Sequence, residues 1–229
     1  LNLLDIGPGD EVLVPSLTYI STATCVNLVG ATPVFVDVEP EYWCVDLDAL
    51  EKARTPRTKA VIAVHLFGQM SDDRLPVWCK SHNIAYIEDA AQAHGAVSAN
   101  GTMAGAVGDV ACFSFFPSKN LAVGGEGGMM MTHRVDLVAR MNALVNNGRD
   151  ARLEAQSLGS NFRMSEVSAA IGRVQLTHLP SWLERRRAIA QRYHQAFDGI
   201  RGLTTPSVRP GTKHAWHQYC LVAEDPDGL

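Results

Sequence analysis

Two side chains with complementary chemistry follow apolar segments in the middle of the sequence. Asp89 ends the segment 84–89, and Lys119 lies just past the segment 112–116, 30 residues further on. Residues at the carboxyl ends of strands face the ligand site of an open α/β sheet. A lysine amine bonds an aldehyde and a carboxylate holds a basic ring nitrogen protonated, and pyridoxal 5′-phosphate (PLP) has both groups. The sequence therefore predicts that Asp89 and Lys119 meet at one such cofactor.

The elements that must position these side chains alternate between strands and helices. Apolar, β-branched segments predict strands at 11–15, 32–38, 60–67, 84–87, 109–116 and 129–132. Helical patterns lie between or after them, at 19–29, 46–53 with Asp46 as N-cap, 71–81 and 135–146. Such alternation is typical of a parallel sheet covered on both faces. We expect an α/β fold of three αβα layers around a mostly parallel sheet.

The last third of the sequence predicts a second, smaller domain. Helical spacing over 163–179 is followed by Pro180, which is expected to interrupt the helix, and a helical pattern resumes over 181–197. We therefore place a cofactor-binding domain at 1–180 and the beginning of a small α+β domain at 181–229. Because Leu1 opens what reads as the end of a helix, we expect the first domain to lack its N-terminal part. The segment 203–229 is short and punctuated by prolines, so we expect the second domain to be incomplete as well.

Composition limits the classes of function. The 229 residues are 46% hydrophobic and 19% charged, which is ordinary for a globular α/β protein. The net charge of −4 gives no reason to expect binding to nucleic acid or to an anionic membrane surface. No apolar run reaches the roughly 20 residues of a membrane helix, and we expect a cytoplasmic protein. The five cysteines are scattered and have no C-x-x-C spacing, so we expect reduced thiols that pack as small apolar side chains and not a metal site. Cys112 is expected to be buried in its strand.

Several motifs, in order along the chain, carry a family resemblance. EDAAQAHG (88–95) followed by SFFPSKN (114–120) resembles the DegT-type sugar aminotransferases, a branch of the fold-type-I PLP enzymes. Supporting similarities are GDEVLVPSLTY (9–19), GATPVFVDV (30–38), VHLFGQ (64–69), GEGG (125–128) and NFRMSE (161–166). Each motif alone is weak, whereas their order over nearly the whole chain is specific. The family often has Asn-His-Gly where this chain has Asn146-Asn147-Gly148, which removes the contacts of that imidazole.

The resemblance assigns the groups that would contact the cofactor ring. Lys119 would form the Schiff base and later act as the general acid and base. Asp89 would hold the pyridine nitrogen protonated, with Glu88 beside it as support or as the alternative carboxylate. Gln92 would hydrogen-bond the ring hydroxyl oxygen, and Ala91 would lie against one face of the ring.

Three further residues complete the implied cofactor site. Tyr19 would stack on the other face of the ring, although core packing would also explain an aromatic residue there. Ser114 would bind the phosphate. Asn161 resembles a residue that a neighbouring subunit contributes to the phosphate, which implies a homodimer with a shared active site.

The roles of four other side chains stay open at this point. His65, His94 and His217 are each either substrate contacts or buried, hydrogen-bonded histidines. Arg163 either reaches a phosphate or forms a structural salt bridge.

The resemblance implies an aminotransferase that moves an amino group from glutamate or glutamine to a nucleotide-linked keto sugar, as in amino-sugar biosynthesis for polysaccharides or antibiotics. Three alternatives remain. The first is a related group of sugar dehydratases, which has His in place of the lysine; the presence of Lys119 argues against it. The others are a regulatory protein that binds the cofactor without turnover, and an inactive fragment.

Overall fold

A six-stranded sheet forms the centre of the computed structural model, which describes residues 1–225. Its strands are β1 (Glu11–Pro15), β2 (Thr32–Val36), β3 (Thr58–Val64), β4 (Ala85–Asp89), β5 (Val110–Ser114) and β6 (Gly128–Met131). The order across the sheet is β2-β1-β3-β4-β5-β6, and every pairing is parallel except that of β6 with β5. The prediction of a mostly parallel sheet is thus confirmed.

Helices cover both faces of this sheet, which gives the three predicted layers. They are α1 (Ser21–Leu28), α2 (Leu47–Ala53), α3 (Leu75–Ser81), α4 (Val135–Val145) and α5 (Glu166–Phe197). On one face, Leu13 and Val61 of the sheet pack with Leu50 of α2 and Leu75 of α3. On the other face, alternate strand residues such as Val12 and Ile62 pack against Ala23 and Val26 of α1. Burying each large aliphatic side chain stabilises the fold by about 1.5–3 kcal/mol.

Side-chain hydrogen bonds and backbone strain determine where some of these elements begin and end. Asp46 caps α2 as predicted, since its carboxylate accepts a 2.8 Å hydrogen bond from the Ala49 amide. The strand predicted over 60–67 ends at Val64 instead. It gives way to a 3-10 turn over Leu66–Gly68, in which Phe67 has φ 57°. A non-glycine residue in that left-handed region costs about 1–2 kcal/mol, so surrounding contacts must hold it.

The prediction that Pro180 interrupts the helix is wrong, as α5 shows. One continuous helix of 32 residues, about 48 Å long, runs from Glu166 to Phe197 with Pro180 inside it. Leu179 and Leu183 are buried on either side of the proline, against a cluster that includes Met70 and Ala90. This tertiary packing holds both halves of the helix in line despite the missing backbone donor. The predicted domain boundary at residue 180 therefore falls within a helix, and the division into two domains stays a prediction.

The segment after α5 returns to the large sheet. A two-stranded sheet of β7 (Leu203–Thr204) and β8 (Val222–Ala223) flanks it. Between these strands, the Arg209 guanidinium bonds Glu39 and lies 3.5 Å from Asp72 and 4.3 Å from the Tyr42 ring centroid. These contacts fix residues 206–218 beside the loops that follow β2 and β3.

Two further sequence expectations concern bilayers and cysteines. Among the described residues, no helix is both long and apolar enough to cross a membrane. All five cysteines are free, and Cys44 and Cys79 are buried as expected. Cys112 is exposed, which corrects the expectation of burial. It is paired in register with Asp89, so its side chain lies on the same face of the sheet as that carboxylate.

Candidate active site

A cleft of about 500 Å³ lies at the carboxyl ends of the central strands. It brings together six of the seven predicted site residues: Tyr19, Asp89, Ala91, Gln92, Ser114 and Lys119. His217 and Gln218, from the segment after α5, form part of the same wall. Side chains from the two ends of the chain thus meet across the sheet edge, where parallel strands present ligand-binding groups.

Lys119 lies half-buried in the cleft, four residues beyond the buried Phe115. Its backbone amide donates a 2.9 Å hydrogen bond to the Phe116 carbonyl, which closes the turn after β5. Burial lowers the pKa of the Lys119 amine below its ordinary value, although the charge of Asp89 acts in the opposite direction. The lowered pKa increases the fraction of neutral amine, which is the nucleophilic form.

Asp89 ends β4, and two hydrogen bonds fix its carboxylate. The Thr22 hydroxyl of α1 donates to Oδ2 at 3.1 Å, and the Ala91 amide donates to Oδ1 at 3.1 Å. The carboxylate is therefore oriented before any ligand binds, as a partner for a basic ring nitrogen requires.

Glu88, the alternative carboxylate, does not line the cleft. Its side chain is 0% exposed and accepts three backbone hydrogen bonds, from Gly105 at 2.8 Å, Val107 at 2.8 Å and Gly108 at 2.7 Å. Burial alone would raise the pKa of Glu88, but the bond to His65 and these amides lower it below its ordinary value. Because successive strand residues face opposite sides of a sheet, Asp89 lines the cleft and Glu88 fastens the 105–108 loop.

His65 belongs to the same buried network as Glu88. Its Nδ1 accepts a 3.1 Å hydrogen bond from the Ser71 amide, so the ring hydrogen is on Nε2, which donates to Glu88 at 2.9 Å. The structure therefore assigns His65 to the fully buried, hydrogen-bonded alternative and not to substrate contact.

Gln92 is oriented by the strained turn at Phe67. The Phe67 amide can only donate, and it lies 2.6 Å from the Gln92 carboxamide oxygen. The opposite side of that carboxamide is therefore the NH₂ group, for which no partner is recorded among the described residues. A free NH₂ in the cleft is the donor that a ring hydroxyl oxygen needs.

The remaining predicted contacts differ in how firmly they are held. The Ser114 hydroxyl accepts a 3.3 Å hydrogen bond from the Phe116 amide and still has its own hydrogen to donate. Tyr19 lines the cleft but is 71% exposed, so core packing does not explain this residue.

Asn161 is the predicted site residue that lies outside the cleft. Its Oδ1 accepts a 3.1 Å hydrogen bond from Arg163 Nε, and Arg163 Nη1 donates to Asn146 Oδ1 at 2.5 Å. Arg163 is thus engaged with two asparagines rather than in a salt bridge. The contact of Asn161 with a neighbouring subunit's phosphate stays a prediction.

His94 is buried without a hydrogen-bond partner for either ring nitrogen among the described residues. It is 3% exposed and packs against Phe113 and Phe115, with ring centroids 5.2 Å and 5.9 Å away. Burial lowers the pKa of His94 to about 4, the Ser114 backbone opposes this, and the charge of Lys119 adds to it. His94 is thus buried, as one of its two alternatives requires, but within residues 1–225 it lacks the hydrogen bond which that alternative includes.

Acid should destabilise the protein through His94. The pKa of a histidine in the unfolded chain is about 6.5. Between about pH 6.5 and 4, His94 is therefore protonated in the unfolded state and neutral in the folded state. The free energy of unfolding should fall by up to about 1.4 kcal/mol per pH unit across this window. We expect His94→Phe to flatten that decline in urea titrations at stepped pH, with exposed His133→Phe as the control; equal slopes in wild type and His94→Phe would contradict it.

Sequence reasoning missed Asn120 and Gln218. Asn120 directly follows Lys119 at the end of the motif over 114–120, and this position is the available sequence signal. The structure adds that Asn120 is only 5% exposed. Gln218 is 99 residues beyond Lys119 and enters the cleft through a contact that no local pattern encodes.

The fold and the cleft together define a class. A mostly parallel αβα sheet, with a lysine and a carboxylate from neighbouring strand ends in one cleft, matches the fold-type-I PLP transferases. The chain belongs to the DegT/DnrJ/EryC1/StrS aminotransferase family, whose family model matches residues 1–227.

Two curated relatives show how much of a family member this chain represents. It is 42% identical over 230 residues to the UDP-N-acetyl-3-dehydro-alpha-D-glucosamine 3-aminotransferase of Acidithiobacillus ferrooxidans, covering 100% of the chain and 62% of the relative. It is 42% identical over 227 residues to the dTDP-3-amino-3,4,6-trideoxy-alpha-D-glucose transaminase of Streptomyces venezuelae, covering 99% and 60%. The chain thus spans about three fifths of these relatives' length.

Solved structures agree with this assignment. Streptomyces venezuelae DesV, in complex with a ketimine intermediate, matches with a TM-score of 0.95 and 40% identity over 100% of this chain and 62% of its own. Spr1654 of Streptococcus pneumoniae, in its PLP form, matches with a TM-score of 0.86 and 30% identity over 98% and 63%.

Proposed function

We propose that this protein is a PLP-dependent aminotransferase that acts on a nucleotide-linked keto sugar. The observation that carries the proposal is the meeting of Lys119 and Asp89 in one cleft, with the Lys119 pKa lowered by burial. The named relatives act on UDP- and dTDP-linked amino sugars, and this supports a nucleotide sugar as the acceptor.

The residues of the cleft fit the cofactor group by group. Lys119 offers an amine with a lowered pKa to the aldehyde, and the oriented Asp89 carboxylate suits the ring nitrogen. The free NH₂ of Gln92 suits the ring hydroxyl oxygen, and the Ser114 hydroxyl suits the phosphate. Tyr19 and Ala91, the residues proposed for the two faces of the ring, both line the cleft.

The chemistry is shared between the cofactor and two side chains. When bound, PLP supplies an electron sink for the pair released as the substrate Cα loses its proton. Lys119 Nζ accepts that proton and later returns one, as general base and then general acid. Asp89 keeps the ring nitrogen protonated, which a carboxylate at that position does by charge-assisted hydrogen bonding.

The remaining inferences concern the amino donor, the assembly and the location. Glutamate or glutamine supplies the amino group in our proposal, and the product is an amino sugar for polysaccharide or antibiotic biosynthesis in the cytoplasm. A homodimer would bring Asn161 to the neighbouring phosphate. Exposed Phe162, next to Asn161, and exposed Val167, in the first turn of α5, offer apolar surface for that contact and support it.

Turnover separates this proposal from its alternatives. The protein would be loaded with the cofactor, exposed to glutamate or glutamine, and then mixed with a panel of nucleotide keto sugars while the cofactor absorbance is followed. An aminotransferase converts the cofactor in both directions, each only with its own substrate. Cofactor binding without conversion would identify a regulatory protein, and release of a deoxy sugar without amination would identify a dehydratase.

A further inference from the structure

Asn120 connects Lys119 to the segment that follows α5. It directly follows Lys119 in sequence, and its side chain is 5% exposed. The carboxamide Nδ2 donates a 2.9 Å hydrogen bond to the Ala215 carbonyl. A carbonyl only accepts, so this bond settles which end of the carboxamide is nitrogen.

The same bond determines the protonation of His217. The other carboxamide atom of Asn120 must be Oδ1, and it lies 3.3 Å from His217 Nδ1. Since a carboxamide oxygen only accepts, the hydrogen between the two residues belongs to His217 Nδ1. In a neutral imidazole, Nε2 then carries a lone pair.

The backbone around His217 holds the ring in the wall of the cleft. The His217 amide donates to the Phe67 carbonyl at 2.9 Å, and Arg186 Nη1 donates to the Trp216 and His217 carbonyls at 2.9 Å and 3.4 Å. His217 lines the same cleft as Lys119, and no partner for its Nε2 is recorded among the described residues.

Burial is the main reason that the His217 ring is neutral. It lowers the pKa of His217 to about 4, with smaller contributions in the same direction from Lys119, Arg186 and His94. The ring is therefore uncharged at neutral pH and has no Coulomb attraction for a carboxylate or phosphate. An unprotonated ring nitrogen accepts a hydrogen bond, which a hydroxyl or amino group of a sugar can supply.

We propose that Asn120 is a positioning residue that holds His217 in the Nδ1–H tautomer, so that Nε2 accepts a hydrogen bond from a substrate hydroxyl or amino group in the cleft. The choice of substrate rests on the proposed function, whereas the tautomer does not. His217 would thus favour a sugar that presents a hydroxyl at this wall, and a deoxy analogue would bind about 10-fold more weakly.

The tautomer is measurable on the protein without cofactor or substrate. In protein labelled with ¹⁵N-histidine, long-range ¹H–¹⁵N correlation spectra distinguish a protonated from an unprotonated ring nitrogen, and His217→Gln assigns the signals. We expect His217 to show a protonated Nδ1 and an unprotonated Nε2, the opposite of the tautomer that free imidazole side chains favour in water. A protonated Nε2 in the wild-type spectrum would overturn the proposal.

Two variants of Asn120 separate a tautomer effect from a folding effect. Asn120→Leu removes the acceptor, so His217 should change to the Nε2–H tautomer. Asn120→Asp keeps an acceptor opposite Nδ1 and adds a negative charge, so the Nδ1–H tautomer should persist while the His217 pKa rises. Retention of Nδ1–H in folded Asn120→Leu, or its loss in Asn120→Asp, would overturn the role of Asn120.

The tautomer of His217 is measured without turnover, so this test and the test of the proposed function can fail separately. A protein that shows the Nδ1–H tautomer but never converts PLP would defeat the aminotransferase proposal and leave the Asn120 assignment intact. Conversion of PLP by a protein with the other tautomer would do the reverse.

Discussion

Lys119→Ala is expected to abolish turnover and covalent attachment of the cofactor together. The variant removes a cleft amine whose pKa is lowered by burial, and with it the proposed general acid and base. Proton transfer by a positioned group contributes about 10²–10⁴-fold to a rate, so the loss of turnover should be at least that large. Borohydride reduction followed by peptide mapping measures the attachment, and amination of a keto sugar measures the rate.

The matched control is Lys80→Ala, which removes an exposed lysine near the end of α3. It should retain both turnover and the label on Lys119. A borohydride label that maps to another lysine of the wild-type protein would contradict the proposal that Lys119 forms the Schiff base, whatever the activity of the variant.

Glu88→Ala is expected to produce the largest loss of stability. It deletes the acceptor for the buried donors of Gly105, Gly108 and His65 and for the partly buried amide of Val107. Breaking a buried network of this kind by removing one partner costs about 3–5 kcal/mol, because the remaining donors stay desolvated. Chemical denaturation at neutral pH measures the change in the free energy of unfolding.

A comparison with Glu184→Ala tests the cause of that loss. Glu184 is exposed on α5, and surface substitutions away from special contacts change stability by about 0.5 kcal/mol or less. Glu88→Gln keeps one acceptor and should fall between the two variants. If Glu88→Ala were as stable as Glu184→Ala, the buried network would not fasten the loop at 105–108.

The parts of the fold that depend on local pattern could be predicted from the sequence. Apolar segments gave the positions of the six central strands, and Asp46 was recognisable as a helix cap from its position alone. The meeting of Asp89 and Lys119 also followed, because strand ends of a parallel sheet share one edge.

Features that depend on distant contacts could not be predicted. The continuity of α5 through Pro180 requires burial of Leu179 and Leu183 against residues near position 90. The end of β3 at Val64 requires a left-handed Phe67, which the Gln92 side chain supports from 25 residues away. Similarly, His217 reaches the cleft through distant contacts of its segment, among them those of Arg209 and Asn120.

The backbone N–H and C=O of Phe67 bond to opposite walls of the cleft. Its amide donates to Gln92 at 2.6 Å and its carbonyl accepts from His217 at 2.9 Å, so one strained residue joins both walls of the cleft. The residue proposed for the cofactor ring and the residue proposed for the sugar are therefore attached to the same backbone unit. If ordering one wall changes the free energy of ordering the other, linkage requires the effect to be equal in both directions.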